Sequence, residues 1–580
     1  MHVPPTRLLV ALAAAALAAA GCADTHAQRT AADRDAARGL DVRRPRVPEL
    51  VGSLDLDAAD RAARPARALE RVDLDLDGAL RLAAASSRTY RARREDAWLA
   101  ALDLATERKQ FAANGGLGAA AALSRDESGT IASAGPVAEL SRAFEAGGSF
   151  VLRLAADFLR TFPSDPAAAA RTLITADLVL PLLRGSGTVA REPLTQAERD
   201  VLYALRVLAR TEQELLVDVA TDFYDVLQAK DVLENEDRTY DSLVLLHERA
   251  KSFGPEGAGR MPDFEVDQAR QDVLRAEDRR QQARQAFEAS LDTFKQTLGI
   301  PLTTEVTLRA AGLDAMRKDG LPDDAPSGDP VATALAHRLD LATTRDRLDD
   351  ARRRLLVAED ALRTGLDVAA GASLDTPGKR PFAVRDAKAR GSVGLDLDLP
   401  VDRVEERDAY RAAEIAVERA RRDVEAEEDR VTSEVRREVR QLAQARRSFG
   451  IQQEGVRLAE RRVESARLNL QAGKATVRDV LDAENSLIEA RNALTAALVD
   501  HAVARLSLAR DTGTIDVTVL ARPEVPAPRP PAAPGAPAPG QASGSPTAAP
   551  PAPAPTTAPA VVPPPAGPAV PAAALPVGGR

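Results

Sequence analysis

"LQAGKATVRDVLDAENSLIEARNAL", residues 470–494, opens on a glycine, sets two aspartates three residues apart, and runs on into apolar residues at helical spacing. Thr476-Val477-Arg478-Asp479 has the form of a capping box. In such a box the threonine oxygen accepts a backbone N–H and the acidic side chain reaches back to the helix start. Asp479 also suits the positive end of the helix dipole. Gly473 supplies a left-handed turn ahead of it. Capping therefore accounts for Gly473, Thr476 and Asp479 but leaves Asp482 unexplained, one turn further in. The i, i+3 spacing puts Asp479 and Asp482 on one helix face.

The same stretch has an echo. "GRMPDFEVDQARQDVLRA" (259–276) aligns with "GKATVRDVLDAENSLIEA" (473–490) when both are counted from their glycines, Gly259 and Gly473. Glu265 then matches Asp479, Val266 matches Val480, Ala269 matches Ala483, Val273 matches Leu487 and Ala276 matches Ala490. A second pair, residues 74–97 and 329–351, shares Ala79-Leu80 with Ala334-Leu335. The chain thus reads as two tandem copies, 72–300 and 329–520, joined by a linker over 301–328. Helical stripes run through Phe287, Leu291, Phe294 and Leu298, and through Leu487, Ala490, Leu494 and Leu498. Their steps of three and four predict long helical hairpins with a coiled-coil-like seam.

Between the helices lie runs of period two. In 366–375, Leu366, Val368, Ala370, Ala372 and Leu374 share one face, and Asp367, Gly371, Ser373 and Asp375 the other. In 391–400, Val393, Leu395, Leu397 and Leu399 alternate with Gly394, Asp396 and Asp398. Residues 172–181 take the matching place in the first copy. Such alternation describes a strand between two solvents. A soluble sandwich and a transmembrane barrel, apolar toward lipid and polar toward a lumen, both satisfy it. The export signal and the long helices favour the barrel.

Composition bounds the rest. The 580 residues are 28% charged and only 3% aromatic, with net charge −9, which suits a helix-rich body with small residues between helices. Lys and Arg form no isolated block, so no nucleic-acid partner is expected. The lone cysteine, Cys22, cannot form an intramolecular disulfide. It follows a secretory-type leader over 1–21, too short to span a bilayer. Ala18–Ala20 fit an ordinary cleavage site, whereas Ala20-Gly21-Cys22 resembles a bacterial lipobox that would make Cys22 an acylated first residue; the second reading is preferred although Ala19 stands where leucine is usual. Residues 22–71 read as a poorly ordered lead-in. Residues 523–580, nearly all Pro, Ala and Gly, read as a disordered tail.

Taken together, Gly473, Thr476, Asp479, Val480, Leu481, Asp482, Ala483 and Leu487, with the first-copy counterpart from Gly259, resemble the TolC-like outer-membrane efflux family over roughly residues 72–520. The resemblance implies a fold that is mainly α with a transmembrane β-barrel portion. It implies a homotrimer in outer-membrane lipid, each subunit giving four strands to a twelve-stranded barrel above a periplasmic helical tube. It further implies a passive exit conduit of a tripartite efflux or type I secretion system, working with a periplasmic adaptor and an inner-membrane pump. Asp479 and Asp482 would form an acidic constriction at the periplasmic entrance, with Glu265 at the matching place of the first copy. Asp367, Asp396 and Asp398 are lumen candidates.

The chain departs from the family in several places. Aromatic girdles are thin. An insertion at about 126–170 has no counterpart in the usual plan. Leu470 and Ala475 stand where some members lock the tip with an aromatic and an arginine. No enzyme, metal or cofactor motif is present: the five histidines are scattered, and neither a P-loop nor a dinucleotide glycine motif occurs. The rival readings are a periplasmic coiled-coil adaptor and a non-conducting envelope scaffold lipoprotein. An adaptor usually carries one hairpin, whereas this chain carries two.

Overall fold

A computed structural model describes residues 25–126, 129–162, 165–253, 262–309, 317, 320–321, 328–378, 387–399, 401–472 and 474–525. Two long antiparallel helical hairpins form the body. The first pairs α5 (Thr188–Phe253) with α6 (Asp263–Leu298), and the second pairs α9 (Val404–Gln471) with α10 (Val477–Asp511). Shorter helix pairs precede the strands of each half: α3 (Leu76–Ser86) with α4 (Arg88–Phe111), and α7 (Pro330–His337) with α8 (Leu339–Ala361). The two pairs start alike, because Asp75 caps α3 through the Gly78 N–H and Asp329 caps α7 through the Val331 N–H. Ala79 and Ala334, the echoed alanines, are both fully buried.

The strands form one antiparallel sheet of six, in the order β2 (Asn114–Asp126), β3 (Gly129–Ala143), β4 (Ser149–Phe162), β5 (Asp165–Pro181), β7 (Gly365–Gly378) and β8 (Lys388–Asp398). This corrects the expected four strands. The segment read as an insertion is built as strand, and the first strand begins at Asn114, directly after α4. A separate parallel pair joins β1 (Arg71–Leu74) to β6 (Glu305–Leu308), so the start of the first half is tied to the segment that follows it.

The expected lead-in is also corrected. Residues 25–43 form helix α1 and residues 56–63 helix α2. Ala36, Gly39 and Leu40 are buried, with Gly39 seated over Ala101 and Leu104 of α4. This apolar face is built mostly from small residues, so its periodicity is weak in the sequence. Glu212 of α5 then pins the following loop. It accepts from the N–H groups of Val51 (3.0 Å) and Gly52 (2.9 Å) and from the Tyr90 hydroxyl (2.6 Å). Burial pushes the Glu212 carboxyl up, while those hydrogen bonds favour its charged form.

With few aromatics, the body relies on aliphatic packing and on charge pairs between helices. The stripe residues Phe294 and Leu298 are fully buried, and Phe223 stacks edge-on against Phe294. Gly299 ends α6 at φ +74°, so close to Ser86 that a Cβ would meet its carbonyl oxygen. In the second half, Arg338 is buried between Asp340 (2.6 Å) and Glu434 (2.7 Å), linking α8 to α9. Burial opposes the charge on Asp340, but the Arg338 guanidinium outweighs it and holds that carboxyl well below the usual range. Tyr203 and Arg353 both donate to Asp350, at 2.7 and 2.8 Å, and link α5 to α8.

Removing the Glu212 carboxylate strands three donors at once. Glu212→Ala is expected to cost about 2–4 kcal/mol and to release the N-terminal segment first. Limited proteolysis followed by mass analysis would read this as early cleavage between Arg44 and Arg64. An unchanged digestion pattern would show that the segment is held without Glu212.

Candidate functional site

The free ends of the two hairpins present matching helix starts. Helix α6 begins at Asp263 and α10 at Val477, each four residues after the glycine that the sequence alignment paired. Gly259 and Gly473 themselves lie outside the described residues, as does Cys22. At α10 the capping box is formed. Thr476 Oγ1 accepts from the Asp479 N–H at 3.3 Å, and Asp479 Oδ2 accepts from the Thr476 N–H at 2.7 Å. The Thr476 hydroxyl donates to the same Oδ2 at 2.7 Å. The Thr476 N–H, and then its hydroxyl, hold the fully exposed Asp479 carboxyl below the usual carboxylate range.

Asp482 is exposed one turn on, and its carbonyl accepts from Ser486 Oγ at 2.8 Å; among the described residues its side chain makes no capping bond. Glu265 is exposed in the first turn of α6, whose N-cap is Pro262 and carries no side-chain cap. The chain therefore places Asp479 and Asp482 on one helix and leaves Glu265 on the other hairpin. No hydrogen bond joins Glu265 to either aspartate among the described residues. Behind the α10 tip the hairpin is cross-braced by Arg467 with Glu484 (2.7 Å) and Arg491 with Glu460 (3.0 Å).

At the other end the sheet has two unlike faces. One row of the ladder runs Gly116, Glu139, Arg153, Thr175, Ser373, Arg390 across all six strands. The next row runs Leu117, Ala138, Leu154, Ile174, Leu374, Ala389, and points to the opposite face. Asp367 stands directly across from Asp396 on the polar face. Asp398, paired with Gly365, binds Arg184 at 2.6 Å. Leu117 is 93% exposed, Val393 80% and Leu395 71%, so the apolar face is uncovered in a single chain. Glu139, Arg153 and Arg390 are polar-face residues that the sequence reading missed; the alternation Phe150, Leu152, Leu154 against Arg153 was the available signal. Among the described residues no helix is long and apolar enough to cross a membrane.

Loss of the cap should fray α10. Thr476→Ala is expected to lower amide protection over residues 478–482 by about fivefold, the effect of an ordinary N-cap, read by hydrogen exchange. The Asp479 half of the box has a lowered folded-state pKa. Its contribution is whole above the ordinary carboxylate value near ~4 and is lost only as pH falls through the lowered value. Protection at this turn should therefore be flat from pH 7 to about 5 once intrinsic exchange is corrected. Equal protection in the variant would show that the cap does not hold the turn.

Comparison with known proteins agrees with this arrangement. Residues 331–514 match the family model described as outer membrane efflux protein. The outer membrane efflux protein BepC of Brucella suis biovar 1 (strain 1330) is 25% identical over 350 residues, covering 60% of this chain and 74% of that relative. Among solved structures, CusC superposes with a TM-score of 0.58 at 14% identity, over 77% of this chain and 94% of its own. The CmeC outer membrane channel of Campylobacter jejuni gives 0.57 at 13% identity, over 76% and 85%. The second half of the chain, residues 331–514, thus matches the outer membrane efflux protein family, and with its paired hairpins and two-faced sheet the chain shares the fold of CusC and of the CmeC outer membrane channel.

Proposed function

We propose that three copies close into one conduit, with the strands as a barrel in the outer membrane and the hairpins as a periplasmic tube. The observation that carries this reading is the pairing of a two-faced sheet with hairpins of great length. Helix α9 has 68 residues, about 100 Å at the usual helical rise. Such a helix, more than half exposed polar surface along its outer positions, suits a tube wall standing in water. Transport is passive in this reading, and the energy comes from an inner-membrane pump joined through a periplasmic adaptor.

The acidic helix starts form the entrance. Threefold symmetry would set the Asp479 and Asp482 carboxylates of three subunits around one axis, with Glu265 on the neighbouring hairpin. Converging carboxylates attract cations and disfavour anions, and their mutual repulsion keeps the tip from collapsing once a partner spreads it. Asp367, Asp396 and Asp398 face the lumen at the barrel base. Acylation at Cys22 would anchor the N-terminal segment in lipid beside the barrel.

Planar-bilayer recording of the purified protein tests the entrance. The wild type should conduct with cation preference in a salt gradient. Asp479→Asn with Asp482→Asn should move the reversal potential toward zero while conductance persists. An unchanged reversal potential would remove these residues from the ion path, and absence of both conductance and threefold assembly would overturn the duct. Mass analysis of the mature N-terminus tests the anchor: a start at an acylated Cys22 is expected, and an unmodified start refutes it.

A further inference from the structure

We infer that the barrel of this duct has eighteen strands, six from each of three copies, in place of the twelve that four strands per copy would give. The inference rests on the threefold reading above and adds the strand count. Its basis is that β3 and β4 are full members of the sheet. They sit inside it, paired on both sides, in the order β2-β3-β4-β5-β7-β8. The β3–β4 register holds constant from Val137 with Ala155 to Ala143 with Ser149, and the β4–β5 register from Ser149 with Val179 to Ala156 with Thr172.

The chemistry of the faces is continuous too. The polar row enters the added strands as Glu139 beside Arg153, a cross-strand pair of opposite charge. The apolar row enters as Ala138 beside Leu154, with Leu140 beside Leu152 in the same face. A hairpin lying outside the barrel wall would have no reason to keep both rows in phase with β5 and β7. A one-residue slip would exchange the faces. Length agrees as well: β3 and β4 have 15 and 14 residues, beside 14 in β7 and 11 in β8, and a tilted membrane strand needs about 9–11.

The edges say how copies would meet. Strand β2 leaves the helical body after α4, and β8 returns to it before α9. The two edges therefore run in opposite senses, and β8 of one copy beside β2 of the next continues the antiparallel alternation without a break. Lipid leaves no alternative to closing such edges. With strands about 4.8 Å apart and tilted by about 40°, eighteen strands give a barrel about 36 Å across between backbones, against about 24 Å for twelve. The exit would then be roughly 1.5-fold wider, and the narrowest point of the conduit lies elsewhere.

Single-particle imaging of the detergent-solubilised full chain reads symmetry and strand number independently. Threefold assemblies with eighteen strands are expected. A threefold assembly with twelve strands, the β3–β4 hairpin lying off the wall, overturns this inference and leaves the duct standing. An assembly without threefold symmetry overturns both. Deleting residues 129–162, which removes β3 and β4 and lets β2 meet β5, should narrow the barrel about 1.5-fold; an unchanged diameter overturns the inference. Should that variant fail to assemble, the wild-type strand count still decides.

Discussion

The unpaired backbone of β2 and β8 is the constraint on which the architecture turns. Each inner strand has its N–H and C=O groups satisfied on both sides, whereas these two present a full row of unmet groups outward. In water such a row is an aggregation hazard, and in hydrocarbon every unmet group costs several kcal/mol or about that. Leu117, Val393 and Leu395 stand exposed on these two edge strands, and in the proposed barrel they would face lipid, where the edge could not be left to water. One chain alone is thus an incomplete object. In the proposed trimer, closure through further copies satisfies the backbone and creates the lumen in the same step.

The helical body solves a different problem with unusual means. Aromatics make up 3% of the chain, so there is little large apolar surface to bury at each crossing. Small residues bring helices close, and charged pairs fix which helix meets which. Arg338 can reach both Asp340 and Glu434 only if α8 and α9 sit in one register. Asp350, shared by Tyr203 and Arg353, does the same for α5 and α8. Buried pairs of this kind add little net stability over an apolar contact, but breaking one is costly. We read them as register marks for helices whose stripes of alanine would otherwise slide.

Much of this was legible in the sequence, for physical reasons that also explain what was not. The capping box at Thr476 and Asp479 is a local motif, complete within four residues, and it forms as read. The two faces of 366–375 and 391–398 follow from period two alone. The lead-in misled because its helix buries Ala36, Gly39 and Leu40, a face with hardly any hydrophobic contrast, and because its anchor, Glu212, lies about 160 residues away in sequence. Strands β2 and β3 were hidden in the same way. Apart from Leu117, residues 115–122 are all alanine and glycine, and Pro136, which has no N–H to donate, stands inside β3 where a proline argues against an inner strand. Only β4, with Phe150, Leu152 and Leu154 against Arg153, carried a strong signal, and its partners had to be seen for that signal to be placed.

The two aspartates at the α10 tip divide the work between them. Asp479 spends one oxygen on Thr476, accepting from both its N–H and its hydroxyl. That carboxylate is fixed in place and stays charged at lower pH than an ordinary one. It therefore sets where the helix starts and keeps a negative charge there. Asp482 carries no such duty. Its side chain stands exposed on the same face, and in the proposed entrance it would turn toward an ion or away from a neighbouring carboxylate without unwinding the helix. In the proposed entrance, a fixed charge at the helix start and a freer one a turn further in would make a gate that tolerates movement. Exchanging the two positions would not, because an unanchored first turn frays whenever repulsion at the tip rises.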